Sequence, residues 1–261
     1  MTFDEYIVNP MGKSNAVWSA AAREAQRNIY TKKFDNILLR ENGKIDYFFY
    51  KGKGAVYYVH IKVPSEVVPN FYYDVVLKFT GSSNIVATSS GLDKYQVEFY
   101  SNDPAFVYTY AYVFNKKGLL IKELSSKMSR QALKTAAKEK NPENTVGYVK
   151  SIYFAYLFMK QRGLFSKVKY TGAPDLDLKY LLSNIEDADT KIQKREDEGA
   201  KVLKKKKAVV TKDDVRKMKK HGVDGSNGSF SGVTVATTKK VGVAKKSAIN
   251  STKKTKSTKR F

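Results

Sequence analysis

The chain has 261 residues, with 48 Lys or Arg against 25 Asp or Glu, a formal net charge of +23, two His, one Trp and no Cys. A disulfide, zinc thiolate site, iron–sulfur cluster or cysteine nucleophile is therefore impossible, and a His-based metal site would rest on His60 and His221 alone. The length allows one domain of about 150–200 residues with an appendage, or two small domains.

The first residues, Met1-Thr2-Phe3-Asp4-Glu5-Tyr6, are acidic and polar. They lack the basic stretch and apolar run of a secretory leader. The longest apolar stretch, residues 152–159, falls far short of the roughly 20 residues that span a membrane. The expectation is a protein kept in the cytosol, or released by lysis or inside a particle, with no membrane partner. Ser14 predicts the N-cap of a helix running to about Arg40. Trp18, Ala21, Ala22, Ala25 and Ile29 recur at helical spacing and predict its apolar face.

Strands follow. Residues 46–50 and 55–63 flank Lys51-Gly52-Lys53-Gly54, a hairpin-type turn. The turn lacks the glycine spacing and terminal Lys-Ser/Thr of a phosphate-binding loop, so it reads as a turn only. In residues 71–79, Phe71, Tyr73, Val75, Leu77 and Phe79 alternate with Asp74 and Lys78 on the opposite face. Residues 95–100 predict a shorter strand. Residues 106–114 predict another, with Phe106, Tyr108, Tyr110, Tyr112 and Phe114 on one face; after Asn115-Lys116-Lys117-Gly118 comes a last strand over 119–124. Helices return at 129–140, rich in Ala and Lys, and from Val149, where Ile152, Tyr153, Tyr156 and Leu157 continue the stripe to a C-terminal Gly163. The fold class is α+β: an antiparallel sheet of five or six strands flanked by N-terminal and C-terminal helices, over residues 1–170.

Beyond this body, Leu176, Leu178, Leu181, Leu182 and Ile185 predict a short helix within a charged helical linker, 171–221, and residues 222–261 read as a disordered Lys-rich tail. The charge is uneven: residues 1–200 hold 29 basic and 22 acidic residues, whereas residues 201–261 hold 19 and 3, a net of +16. Aromatics run the other way, with only Tyr180, Phe230 and Phe261 of the 33 after residue 170. The basic residues are 40 Lys and 8 Arg, which predicts salt-sensitive attraction to polyanions and not base reading.

The candidate nucleic-acid contacts are four clusters. They are Lys201 with Lys204, Lys205, Lys206 and Lys207; Arg216, Lys217, Lys219 and Lys220; Lys239, Lys240, Lys245 and Lys246; and Lys253, Lys254, Lys256, Lys259 and Arg260. The aromatic ladder reads as core or subunit interface, the alternative being a base-stacking platform of Tyr108, Tyr110 and Tyr112. His60 reads as a partly exposed sheet histidine sharing a face with Tyr58 and Lys62. Asp93, Glu98 and Asp103 would be the carboxylates of a two-metal nuclease if they converged, though nothing in their spacing singles them out. Asp175, Asp177, Glu186, Asp187 and Asp189 read as a solvated acidic patch. No cofactor and no metal are expected.

Residues 95–104, Tyr-Gln-Val-Glu-Phe-Tyr-Ser-Asn-Asp-Pro, with the aromatic segment 106–114 and the helix 148–163, resemble small virion proteins of tailed phages that infect low-GC Gram-positive bacteria. The resemblance covers residues 40–165. It implies a non-enzymatic structural or assembly protein, located in the virion and in the host cytoplasm during assembly. Its partners would be other virion proteins or further copies of itself, and its basic tail would face packaged DNA. The alternative is a free, sequence-nonspecific nucleic-acid-binding protein of replication or transcription.

Overall fold

The computed structural model describes residues 1–8, 19–84, 91–141 and 144–209, with side chains to Val202. The chain divides into two units, Met1–Val210 and Thr211–Phe261, and the second lies outside the described residues.

The first element is a helix, α1 (Phe3–Val8), set by a reciprocal cap: the Thr2 N–H donates to Glu5 Oε2 at 2.7 Å and the Glu5 N–H to Thr2 Oγ1 at 3.2 Å. Phe3 and Tyr6 are fully buried. Helix α2 (Ala20–Arg40) begins at Ser19, whose hydroxyl accepts the Ala22 N–H at 3.1 Å; the predicted cap at Ser14 lies outside the described residues. Of the predicted apolar face, Trp18 lies outside the described residues, and the rest does not turn inward. Ala21, Ala22, Ala25 and Ile29 face solvent, while Phe34 and Ile37 are buried and Tyr30 is half-buried. Tyr30 and Phe34 place their rings 6.3 and 5.5 Å from Phe154. Alanines offer little area, so the rings decide which face turns inward.

The sheet has four strands, not five or six: β1 (Tyr47–Lys51), β2 (Val56–Pro64), β3 (Tyr72–Thr80) and β4 (Gln96–Ser101), all antiparallel in that order. The predicted strand at 106–114 is helical, a π-helical turn (Phe106–Tyr110) running into α3 (Ala111–Lys116). Every position there is apolar, aromatic or Thr, so alternation and a helical stripe fit equally well. The start signals decide it. Asp103 Oδ1 accepts the Ala105 N–H at 3.0 Å, the Asp103 carbonyl accepts the Val107 N–H at 2.9 Å, and Pro104 suits a first turn. Phe106, Tyr110 and Phe114 then share one side, with Phe106 and Phe114 rings 5.1 Å apart. The predicted strand at 119–124 reduces to two bonds, the Phe99 N–H donating to the Leu119 carbonyl and the Ile121 N–H to the Phe99 carbonyl, before a 3₁₀ turn (Lys122–Lys127).

Helix α4 (Arg130–Lys134) stops after five residues instead of reaching 140; none of them is buried, and so short a helix needs packing to persist. Helix α5 (Lys150–Gln161) follows its predicted stripe, and Gly163 closes it with φ +64°. Last come α6 (Leu178–Asn184), capped by Asp177 at 2.9 Å, and α7 (Ala188–Val209).

The two sheet faces have different covers. Helices α1 and α5 pack on the face carrying Val59, Ile61, Val75, Leu77, Phe79 and Phe99. The opposite face carries His60, Asp74, Val76 and Tyr100, and it too is closed from water, beneath the segment bearing Leu181, Ile185, Ala188 and Ile192. The packed body therefore continues past residue 170, with Lys51 of β1 bonded to Pro174 at 2.9 Å and Leu176 at 2.7 Å. Among the described residues no helix is long and apolar enough to cross a membrane.

Candidate functional site

Helix α7 joins the packed body to the basic C-terminal sequence. Its first turns are anchored by Ala188 and Ile192, both buried, and by ion pairs of Lys191 and Lys194 with Glu186. Further along, Lys201 binds Glu198 at 2.6 Å, and that hydrogen bond together with the charge raises its ammonium above the ordinary value. Residues 204–207, all Lys, lie within the helical backbone of α7, and their side chains lie outside the described ones. The clusters from Arg216 to Arg260 lie outside the described residues.

The three tyrosines of the predicted ladder do not share a face. Tyr108 is 54% exposed, whereas Tyr110 and Tyr112 are half-buried against the core. Tyr110 lies over Gly147, where an added Cβ would come within 2.6 Å of its ring, and Lys116 Nζ sits 5.9 Å from the Tyr112 ring centre. A continuous three-ring platform is therefore absent, and Tyr108 alone is presented outward.

Tyr108 stands at a cleft of about 370 Å³ built by segments far apart in sequence. The end of β2 and the loop after it supply Ser65 and Glu66; the π-helical wall supplies Asp103, Tyr108 and Thr109. Lys150 and Ser151 come from the start of α5, Arg195 from α7. Four of these residues, Ser65, Asp103, Thr109 and Ser151, are polar yet buried. Each needs a partner: Ser65 Oγ accepts the N–H groups of Val67 and Val68 at 3.3 and 3.2 Å, and Ser151 bonds Ser101 at 3.3 Å. Glu66 bridges Lys33 at 2.9 Å and Lys150 at 2.7 Å. Burial alone would raise its carboxyl, but the two lysines hold it below the ordinary value. The Nε of Arg195 is buried with no hydrogen-bond partner.

His60 is fully buried, not partly exposed. The β2–β3 register opposes it to Val76 and opposes Asp74 to Lys62, which makes His60 and Asp74 diagonal neighbours on one face. His60 Nε2 donates to Asp74 Oδ1 at 2.9 Å, and Asn102 Nδ2 donates to Asp74 Oδ2 at 2.8 Å. The Asp74 N–H returns a bond to Asn102 Oδ1 at 2.8 Å, and Asn102 also reaches the Glu186 carbonyl at 3.4 Å. Burial works to raise the Asp74 carboxyl, but His60 and Asn102 outweigh it and hold it below the ordinary range. The group ties the sheet to the segment entering α7. Alternation within single strands put both side chains on one face; only the pairing register would have joined them.

The Lys51–Gly54 turn is a hairpin turn, with Gly54 at φ +68°. Beside it, Lys78 bridges Glu123 at 2.8 Å and Glu98 at 3.4 Å, and burial pushes the Tyr58 hydroxyl up to about 12. Asp93 pairs with Lys94, Glu98 with Lys78, and Asp103 caps the π-helical turn. Among the described residues no three His, Asp or Glu side chains lie close enough together to hold a metal ion. Comparison with protein-family models, with curated proteins and with solved structures found no match for the chain.

Proposed function

We propose that the protein is a non-enzymatic structural protein of a phage particle whose Lys-rich C-terminal segment contacts nucleic acid through phosphate charge. The observation that carries the nucleic-acid part is the charge split: a net of +16 in residues 201–261 against +7 in the preceding 200. The start of that segment sits on α7, a helix tied to the core at Ala188 and Ile192, so phosphate contacts there bear directly on the folded body. Lysine-dominated contacts neutralise phosphates without reading bases, which suits a packaged polymer of any sequence. The virion setting rests on the resemblance in residues 40–165.

The test is duplex DNA binding by the full chain as a function of salt. If about 8 lysines meet phosphates, log K falls with log salt at a slope of about −7. Changing the clusters to Gln one after another should flatten the slope stepwise. Undiminished binding with all four clusters neutralised would sink the reading. The particle setting is tested by mass spectrometry of purified particles, where stoichiometric amounts are expected. Absence from particles would favour the free nucleic-acid-binding alternative.

A further inference from the structure

We propose that the cleft between β2, the π-helical turn, α5 and α7 binds a single nucleotide unit: phosphate on Arg195 with Lys140 and Lys150, and the base against Tyr108. This site lies on the folded body and does not depend on the C-terminal lysines, so it goes beyond the function proposed above.

Five observations converge. The cleft, about 370 Å³, lies in the range of small-molecule sites, roughly 300–1,000 Å³. Arg195 lines the cleft from α7 and bonds the Tyr73 hydroxyl on the same wall, so its guanidinium brings a fixed positive charge to the cleft. Lys140 and Lys150 line the same space; Lys150 shares the single charge of Glu66 with Lys33, so the three together keep one net positive charge beside Lys140. Tyr108 is an aromatic ring 54% exposed at the rim, where a base can stack as bases do on the aromatic rings of single-strand binders. The wall that carries Tyr108 is a π-helical turn, a distortion often found at functional sites.

The charges are mixed, and this narrows the ligand. Asp103 lines the cleft, and Asp189 and Glu196 of α7 act on the Tyr108 hydroxyl; with burial, the larger cause, they raise it above its ordinary value. A bare polyanion would be repelled by these carboxylates. A nucleotide carries donors to match them, in its sugar hydroxyls and exocyclic amine, besides the phosphate that matches the cations. Two sources share that chemistry: a free nucleotide and the 5′-phosphorylated end of a strand.

The test uses the full chain at 150 mM salt, titrated calorimetrically with AMP and, in parallel, with a 5′-phosphorylated tetranucleotide. Binding of either at one site per chain, weakened about tenfold by Arg195→Met and severalfold by Tyr108→Ser, supports the proposal. The tighter of the two identifies the source. Lys140→Gln, an exposed position, gives a second variant that tests the phosphate contact should Arg195→Met fail to fold. A chain with all four C-terminal clusters changed to Gln should keep its AMP affinity while losing duplex DNA, so the two proposals fail separately. Absence of binding by both ligands overturns the site, as does binding that Tyr108→Ser and Lys140→Gln leave unchanged.

Discussion

Replacing Asp74 by Asn probes the polar tie beneath α6 and α7. Asp74 is 4% exposed and accepts from His60 at 2.9 Å and from Asn102 at 2.8 Å. Asparagine keeps the shape but offers one acceptor oxygen in place of two. Turned one way, the amide N–H₂ faces Asn102 Nδ2; turned the other, it faces His60 Nε2, which can accept only by moving its proton to Nδ1, where the structure offers no partner. One charge-assisted bond is lost, about 1.5–3 kcal/mol, and a buried donor is orphaned. With a urea slope of about 2 kcal/mol/M, the unfolding midpoint should fall by about 1 M at pH 7, read by circular dichroism. The gap should also depend on pH. A carboxyl held low in the folded state stabilises fully above its unfolded value, about 3.9, and loses that contribution as pH falls through the folded value. Glu66 and Glu123 are also held low but are common to both proteins and cancel in the difference. The two midpoints should therefore converge below about pH 4. A midpoint change under about 0.3 M, or a gap that persists undiminished at low pH, refutes the reasoning.

Three further substitutions check the packing by the same denaturation assay. Phe114→Ala removes a fully buried ring that meets Phe99 at 5.6 Å and Phe106 at 5.1 Å, and should cost about 3–5 kcal/mol. Leu181→Ala should cost about 2–5 kcal/mol because this side chain, outside the predicted body, is fully buried in the same core; an effect under about 1 kcal/mol would mean that the segment after residue 170 is not part of the cooperative unit. Gly147→Ala drives a Cβ to 2.6 Å from the Tyr110 ring beside the bond from Tyr6 to the Gly147 carbonyl, and should cost about 1–3 kcal/mol. Stability unchanged by the extra methyl would show that Tyr110 moves freely.

Local pattern determined much of this protein. Aromatic and β-branched runs bounded by turn signals at 46–50, 55–63 and 95–100, and clean alternation at 71–79, marked all four strands. The stripe from Val149 and the stop at Gly163 located α5. The charge split needed no coordinates at all. Residues 106–114 show where pattern runs out. With no charged residue and only Thr109 polar, the period was ambiguous, and the outcome came from the cap at Asp103-Pro104 and from rings meeting across the core.

Tertiary structure alone decided which surfaces are covered. Ala21, Ala22, Ala25 and Ile29 made a plausible inward face until the larger rings of Tyr30 and Phe34 found Phe154. His60 looked half-exposed because nothing in its strand shows that a segment about 120–130 residues later closes over it. The cleft joins Glu66, Asp103, Lys150 and Arg195, whose sequence neighbours give no hint of one another. Side-chain period is a property of one segment and is legible there. Burial and convergence are properties of pairs of segments, fixed by which of several competing packings buries the most apolar area.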